Sequence, residues 1–196
     1  AKMLFKCLKI LVLVACIMAI IALAVIWQVG AWNLVFPSAH HDTVAPKLPP
    51  SLASPGILLF TKTNGFRHRD GISSGVAFLE STAQDREWGL FHTENGAVFN
   101  EGDLRRFQVV VFLNASGDML SAEQEAAFEA WLLDGGGWLG VHSAGDSSHE
   151  GWQWYRDNLI GADFTAHIMG PQFQTATVLT ESHGHPVVKD MPDTWQ

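Results

Sequence analysis

The run Ile10–Trp27 limits what this chain can become more than any other feature: eighteen consecutive residues carry no charge and no strongly polar side chain. As a helix rising about 1.5 Å per residue it is roughly 27 Å long, close to the roughly 30 Å hydrocarbon core of a bilayer. Trp27 and Trp32 stand where an aromatic belt anchors the outer end of such a helix. Lys2, Lys6 and Lys9 precede the run, and the next basic residue is Lys47. The positive-inside bias therefore predicts a cytoplasmic N-terminus over 1–9 and a signal anchor over 10–30. It places the remainder outside, on the periplasmic face of a bacterial inner membrane, as a single-pass protein. Two other fates stay open: cleavage after the small residues of Ala22-Leu23-Ala24, or lipidation at the box-like Leu13-Val14-Ala15-Cys16. Against lipidation, the chain stays apolar for eleven residues beyond Cys16.

Residues 31–55 read as a linker. The stretch PSAHHDTVAPKLPPSLASP (37–55) has five prolines among serine, alanine and histidine, too little apolar surface for a core, and predicts a partly extended tether. The adjacent His40 and His41 read as solvated linker residues.

From Gly56 onward the pattern changes to short apolar runs alternating with amphipathic stretches. GILLF (56–60), GLFHT (89–93), QVVVFLN (108–114) and WLGVH (138–142) predict strands, the third a β-branched run of the kind covered on both faces. Ile72, Val76 and Leu79 with Phe78 form a helical face. Ser121 and Gln124 make a capping box opening a helix over 122–134, stopped by Gly135-Gly136-Gly137. Trp152 to Leu159 predicts a further helix and FQTATVLT (173–180) a later strand. Such alternation means βαβ units, a mainly parallel sheet and a three-layer αβα sandwich.

Charge and cysteine content remove several functions. Residues 51–196 hold 8 basic and 19 acidic residues, a balance that repels phosphate backbones and argues against nucleic acid as a partner. Cys7 and Cys16 are the two cysteines of the chain, so residues 56–196 have no disulfide, thiolate nucleophile or cysteine zinc site.

In a wound parallel sheet, ligands bind beyond the carboxyl ends of the strands. Polar groups cluster after each predicted strand: Asn64, Arg67 and His68 after the first, Glu94 and Asn95 after the second, Asn114, Ser116 and Asp118 after the third, His142, Ser143 and Asp146 after the fourth. Asn95 and Asp118 read first as ordinary turn residues after strands, and Asp70 as a helix cap. His142 differs, because it ends an apolar run where an imidazole needs a partner. GVHSAGD (140–146) has the form of a strand-to-helix elbow with His142 at the apex and Ser143 one position late, which disfavours acyl-enzyme chemistry. Of the seven histidines in 56–196, none shows the His-x3-His spacing of a zinc protease. His183-Gly184-His185 fits a loop before Pro186 as well as a ligand pair. A divalent metal such as zinc, on imidazoles and carboxylates, remains a possible cofactor. The segment 152–155 contains tryptophans able to stack on sugar rings.

TKTNGFRH (61–68), HTEN (92–95), VVVFLNASGD (109–118), GGGWLGVHSAGD (135–146), WYRDNLIGADFTAH (154–167) and HP (185–186) together resemble the ThuA-like, or trehalose-utilisation, family over 56–196. The resemblance implies a class I glutamine amidotransferase-like, flavodoxin-like fold. The amidotransferase elbow bears a cysteine where this chain has His142, so glutaminase activity is not implied. It further implies disaccharide or keto-sugar metabolism, with His68, Glu94, Asn114, His142, Ser143 and His167 lining the pocket. Family members continue past the segment matching Pro192–Trp195, so the domain is expected to lack its C-terminal part. Three functions follow. The first is an anchored carbohydrate-processing enzyme, a hydrolase, lyase or isomerase using His142 or His68 as base or metal ligand with Glu94 as acidic partner. The second is a non-catalytic sugar-binding module, and the third a membrane-held scaffold.

Overall fold

The structure, a computed structural model, describes residues 2–146, 149, 151–168, 170–171 and 174–196. They fall into two bodies, residues 1–164 and 165–196.

The first body begins with helix α1 (Lys2–Gln28), whose apolar length suffices to cross a membrane. A one-turn helix α2 (Trp32–Val35) follows. Four strands then form the sheet: β1 (Gly56–Phe60), β2 (Gly89–Thr93), β3 (Val109–Leu113) and β4 (Gly137–Val141), ordered β2-β1-β3-β4 and all parallel. Between them lie α3 (Arg69–Asp85), the short α4 (Glu101–Leu104) and α5 (Ala122–Leu133). The two central strands, β1 and β3, are buried on both faces, and their period of two divides the core. Leu58, Phe60, Val110 and Phe112 meet Phe128 of α5 and Phe99 on one side. Ile57, Leu59, Val111 and Leu113 meet Val76 and Leu79 of α3 on the other. Phe112 stacks on Phe128 at 5.3 Å between ring centres and meets Phe99 edge-on at 5.7 Å, so aromatic packing fixes α5 against the sheet.

The capping box of α5 forms as its sequence requires: the Ser121 hydroxyl accepts from the Gln124 amide, and the Gln124 side chain returns to the Ser121 amide. Other boundaries differ from expectation. Helix α3 starts at Arg69, so His68 holds the cap position and Asp70 lies in the first turn. Phe78 is exposed, because at six residues from Ile72 it falls off the buried stripe. The expected helix from Trp152 splits into α6 (Gln153–Tyr155) and a wider turn over Arg156–Ile160, stopped by left-handed Gly161.

The proline-rich segment is not a free tether. It carries no helix or strand, yet Leu48 and Leu52 pack against the core and Arg106 donates to the Pro49 carbonyl at 2.6 Å. Proline stiffness lowers the entropy lost on laying it down, which two apolar side chains and a few polar contacts can offset.

In the second body the expected strand 173–180 reduces to β5 (Val178–Leu179), paired antiparallel with β6 (Thr194–Trp195). Residue 173 lies outside the described residues.

Candidate functional site

Two non-glycine residues at the strand ends adopt the left-handed conformation: Asn114 after β3 (φ 52°) and His142 after β4 (φ 55°). Each reverses the chain sharply, which is how an elbow lifts a side chain above a sheet. The Asn114 carboxamide oxygen lies 2.9 Å from Nδ1 of His142. An amide oxygen can only accept, so Nδ1 carries the proton and Nε2 of the neutral ring is left as a proton acceptor. Asn114 is buried, whereas His142 is exposed. Gly71 at the start of α3 passes so near that a Cβ there would stand 3.1 Å from Asn114 Nδ2. The imidazole of His68 meets that of His142 edge-on at 4.4 Å between centres, and Phe66 backs His68 at 4.7 Å.

A second cluster occupies the ends of β1 and β2. Arg67 donates to Glu94 Oε1 at 2.6 Å and to the Thr63 hydroxyl at 3.0 Å. The Thr61 hydroxyl sits 2.8 Å from His92 Nε2 and 3.5 Å from Glu94. Glu94 walls two open clefts of about 490 and 520 Å³. Lys62, Thr63 and Asn95 line one, and Arg67, Ser73 and His92 line the other.

The expected residues therefore separate into two groups. His68, His142 and Asn114 form one; Arg67 and Glu94 form the other, with the sequence neighbours Arg67 and His68 joining them. Glu94 pairs with Arg67, and the partner of His142 is Asn114. Asn64 donates to the Asp118 carbonyl at 2.5 Å and to the His40 carbonyl at 3.2 Å. Asn95 caps the short turn Gly96–Val98 by accepting from the Ala97 amide at 2.9 Å, the structural role its position suggested. Ser143 is buried, and its hydroxyl has no hydrogen-bond partner among the described residues. Asp146 closes the elbow turn through its amide, bonded to the Ser143 carbonyl. His167 belongs to the second body, where its Nδ1 lies 3.1 Å from the Ile168 carbonyl. In that body His183 Nε2 bonds Asp193 at 2.9 Å, as a loop residue does.

Behind the elbow lie Tyr155, His149 and Trp152, all buried. Tyr155 is fully buried and donates to the Ala144 carbonyl at 2.7 Å, pinning the turn. Burial, with help from the Asp146 charge, pushes its hydroxyl pKa upward. His149 is buried against the Tyr155 ring at 4.8 Å, and burial pushes its pKa down despite the Asp146 charge. The sequence patterns gave His149 no role, and only the folded chain reveals its burial. Trp152 also serves the core, its indole N–H donating to Glu129 at 2.7 Å. Trp152 therefore packs inside rather than standing on a binding surface. Among the described residues, no group of three or more His, Cys, Asp or Glu side chains is placed to hold a metal ion.

The family model described as ThuA, trehalose utilisation, matches residues 56–196. Among solved structures, a ThuA-like protein from Bacteroides uniformis superimposes with a TM-score of 0.62 at 23% identity, covering 77% of this chain and 61% of that one. This chain thus spans less than two thirds of that relative's length. No curated protein matches it.

Proposed function

Because this chain belongs to the ThuA, trehalose-utilisation family, we propose that it takes a carbohydrate at the C-terminal rim of its sheet and moves a proton on it through His142. The observation that carries the reading is the bond from His142 Nδ1 to Asn114, which holds the ring in one tautomer and leaves Nε2 as the base. Asn114 orients the imidazole through this bond. His68 at 4.4 Å is the adjoining acid or base. Glu94 and Arg67 offer the paired acceptor and donor that fix sugar hydroxyls. The elbow holds a histidine and the next serine is buried, which favours proton transfer over an acyl-enzyme.

Zinc assistance is the weaker form of this reading. His68 and His142 supply two imidazoles, short of the three protein ligands usual at a catalytic zinc. Helix α1 is long and apolar enough to hold the domain to a membrane, and the lysines at its N-terminal end support a reading with the domain on the extracytoplasmic side.

The test is a thermal-shift and turnover screen of trehalose, related disaccharides and their 3-keto forms, with and without zinc, on the full chain in detergent micelles. A sugar that raises the melting temperature and is transformed, with turnover lost but binding kept in His142→Ala, supports the enzyme. Binding without turnover converts the reading to a sugar-binding module. If no sugar shifts the melting temperature, the carbohydrate reading fails.

A further inference from the structure

Residues 40–44 of the proline-rich segment cross the same rim that carries the candidate site. Asp42 reaches in from the strap, and its Oδ2 receives Lys62 Nζ at 2.5 Å and the Gly96 amide at 2.8 Å. Its other oxygen faces the His40 imidazole at 3.7 Å. Lys62 follows β1 by two residues, and its side chain is only 8% exposed. A buried ammonium is costly without an anion against it, so this corner requires a carboxylate. Burial works against ionisation of Asp42, but the Lys62 hydrogen bond, the Gly96 amide and the Lys62 charge outweigh it and hold the carboxyl below its ordinary range.

The rest of the strap is fastened by exchangeable contacts. Asn64 donates to the His40 carbonyl, Asn95 to the Val44 carbonyl and Gln124 to the Asp42 carbonyl. His41 Nε2 meets Asp118 Oδ1 at 2.9 Å. Thr43, Val44 and Ala45 are exposed and bury nothing; apolar anchoring resumes only at Leu48. The strap is therefore held by polar groups that a polar ligand could satisfy instead, and it is hinged where Leu48 and the prolines fix the chain. The cleft of about 490 Å³ opens onto this corner, with Asp42 and Lys62 in its wall.

We propose that Lys62 Nζ and the Gly96 amide form a carboxylate-binding subsite which Asp42 fills as a built-in stand-in, so that a ligand carboxylate binds by displacing residues 40–44. The occupant on the page is a planar carboxylate, and one ammonium with one amide suits it better than a phosphate, which carries more charge and more acceptor oxygens. The subsite stands whether or not the neighbouring rim takes sugars.

The experiment uses the full chain in detergent micelles with four probes: D-glucuronate, acetate, methyl glucoside and inorganic phosphate. Asp42→Asn empties the subsite of its carboxylate, and His41→Ala loosens the strap without touching Lys62. The expected result is tighter binding of glucuronate and acetate to both variants than to the native chain, at least tenfold for Asp42→Asn, lost when Lys62→Met is added. Saturating glucuronate should also speed tryptic cleavage after Lys47 in the native chain at least fivefold, as the strap lifts. Equal carboxylate affinity in native and variant chains overturns the proposal, as does phosphate binding in place of the carboxylates. Binding of methyl glucoside alone also overturns it, while leaving the carbohydrate reading intact.

Discussion

The guanidinium of Arg69 lies 3.9 Å from the centre of the Trp27 ring and donates to the Trp27 carbonyl at 2.9 Å. One residue belongs to the end of the apolar helix and the other to the first turn of α3. Nearby, the Arg67 amide donates to the Gly30 carbonyl at 2.9 Å and Asn33 donates to the Thr63 carbonyl at 2.8 Å. The loop bearing Arg67 and His68 is thus seated on the C-terminal end of the apolar helix.

Gly30 shows how close this seating is. It is buried with φ 83°, and a Cβ there would stand 2.0 Å from the Arg67 carbonyl oxygen. Gly30→Ala should therefore cost about 1–3 kcal/mol through strain and backbone displacement. Amide hydrogen exchange is expected to rise over residues 63–69 and to stay unchanged in β3. Unaltered exchange at 63–69 would disprove the coupling.

Much of this was legible beforehand, and the pattern of what was not has a physical cause. Strands β1 to β4 and the Ser121–Gln124 box are local signals, carried by continuous apolar runs and by one side chain bonding its own helix. The pairing of Asn114 with His142 is not local: twenty-eight residues separate them, and both depend on left-handed turns that Asn and His tolerate but that an apolar run does not announce. Likewise His40 and His41 read as solvated linker residues, because nothing in a proline-rich stretch reveals that Asp118 waits on the rim for His41, or Lys62 for the neighbouring Asp42. Glu94 follows β2 and His142 follows β4, the two edge strands of the sheet, an order that the sequence does not reveal; Glu94 pairs instead with Arg67 from the end of β1.

The Arg67–Glu94 bridge separates a binding role from a structural one. Its partners are 30% and 48% exposed, and such a pair contributes under about 1 kcal/mol to stability. Glu94→Gln should leave the melting temperature within about 3 °C of the native value. Any sugar-induced thermal shift should nevertheless fall at least tenfold in ligand potency. A large loss of stability with sugar binding preserved would assign the pair to the fold instead.

Glu125, on α5, has its carboxyl pushed up from 4.5 to about 7 by burial and by the charges of Asp118 and Glu129, with His41 opposing weakly. In the folded state it holds a proton that the unfolded chain releases near 4.5. Its contribution is fully present below that value and is lost as pH rises through about 7. Glu125→Gln should stabilise the protein by about 1–2 kcal/mol at pH 8 and change it little at pH 4.5. Melting curves at the two pH values decide the matter: a gain that is equal at both would rule out titration as its cause.

His149 has the opposite sign. Burial lowers its pKa, so between its ordinary 6.5 and the lower folded value the unfolded chain takes up a proton that the native imidazole refuses. Stability is complete above 6.5 and falls on acidification, with a slope of up to about 1.4 kcal/mol per pH unit. Below pH 6.5 this loss runs against the gain from Glu125, so the melting temperature of the native chain should depend less on pH there than that of either single variant. Removing either group exposes the other. In Glu125→Gln the melting temperature should drop steeply on acidification below 6.5, and in His149→Asn it should climb steadily from pH 8 towards 5. His149→Asn will also cost stability at every pH by losing the ring against Tyr155, so the slope and not the level is the quantity to compare. Parallel curves for native and both variants would show that neither buried group titrates across this range.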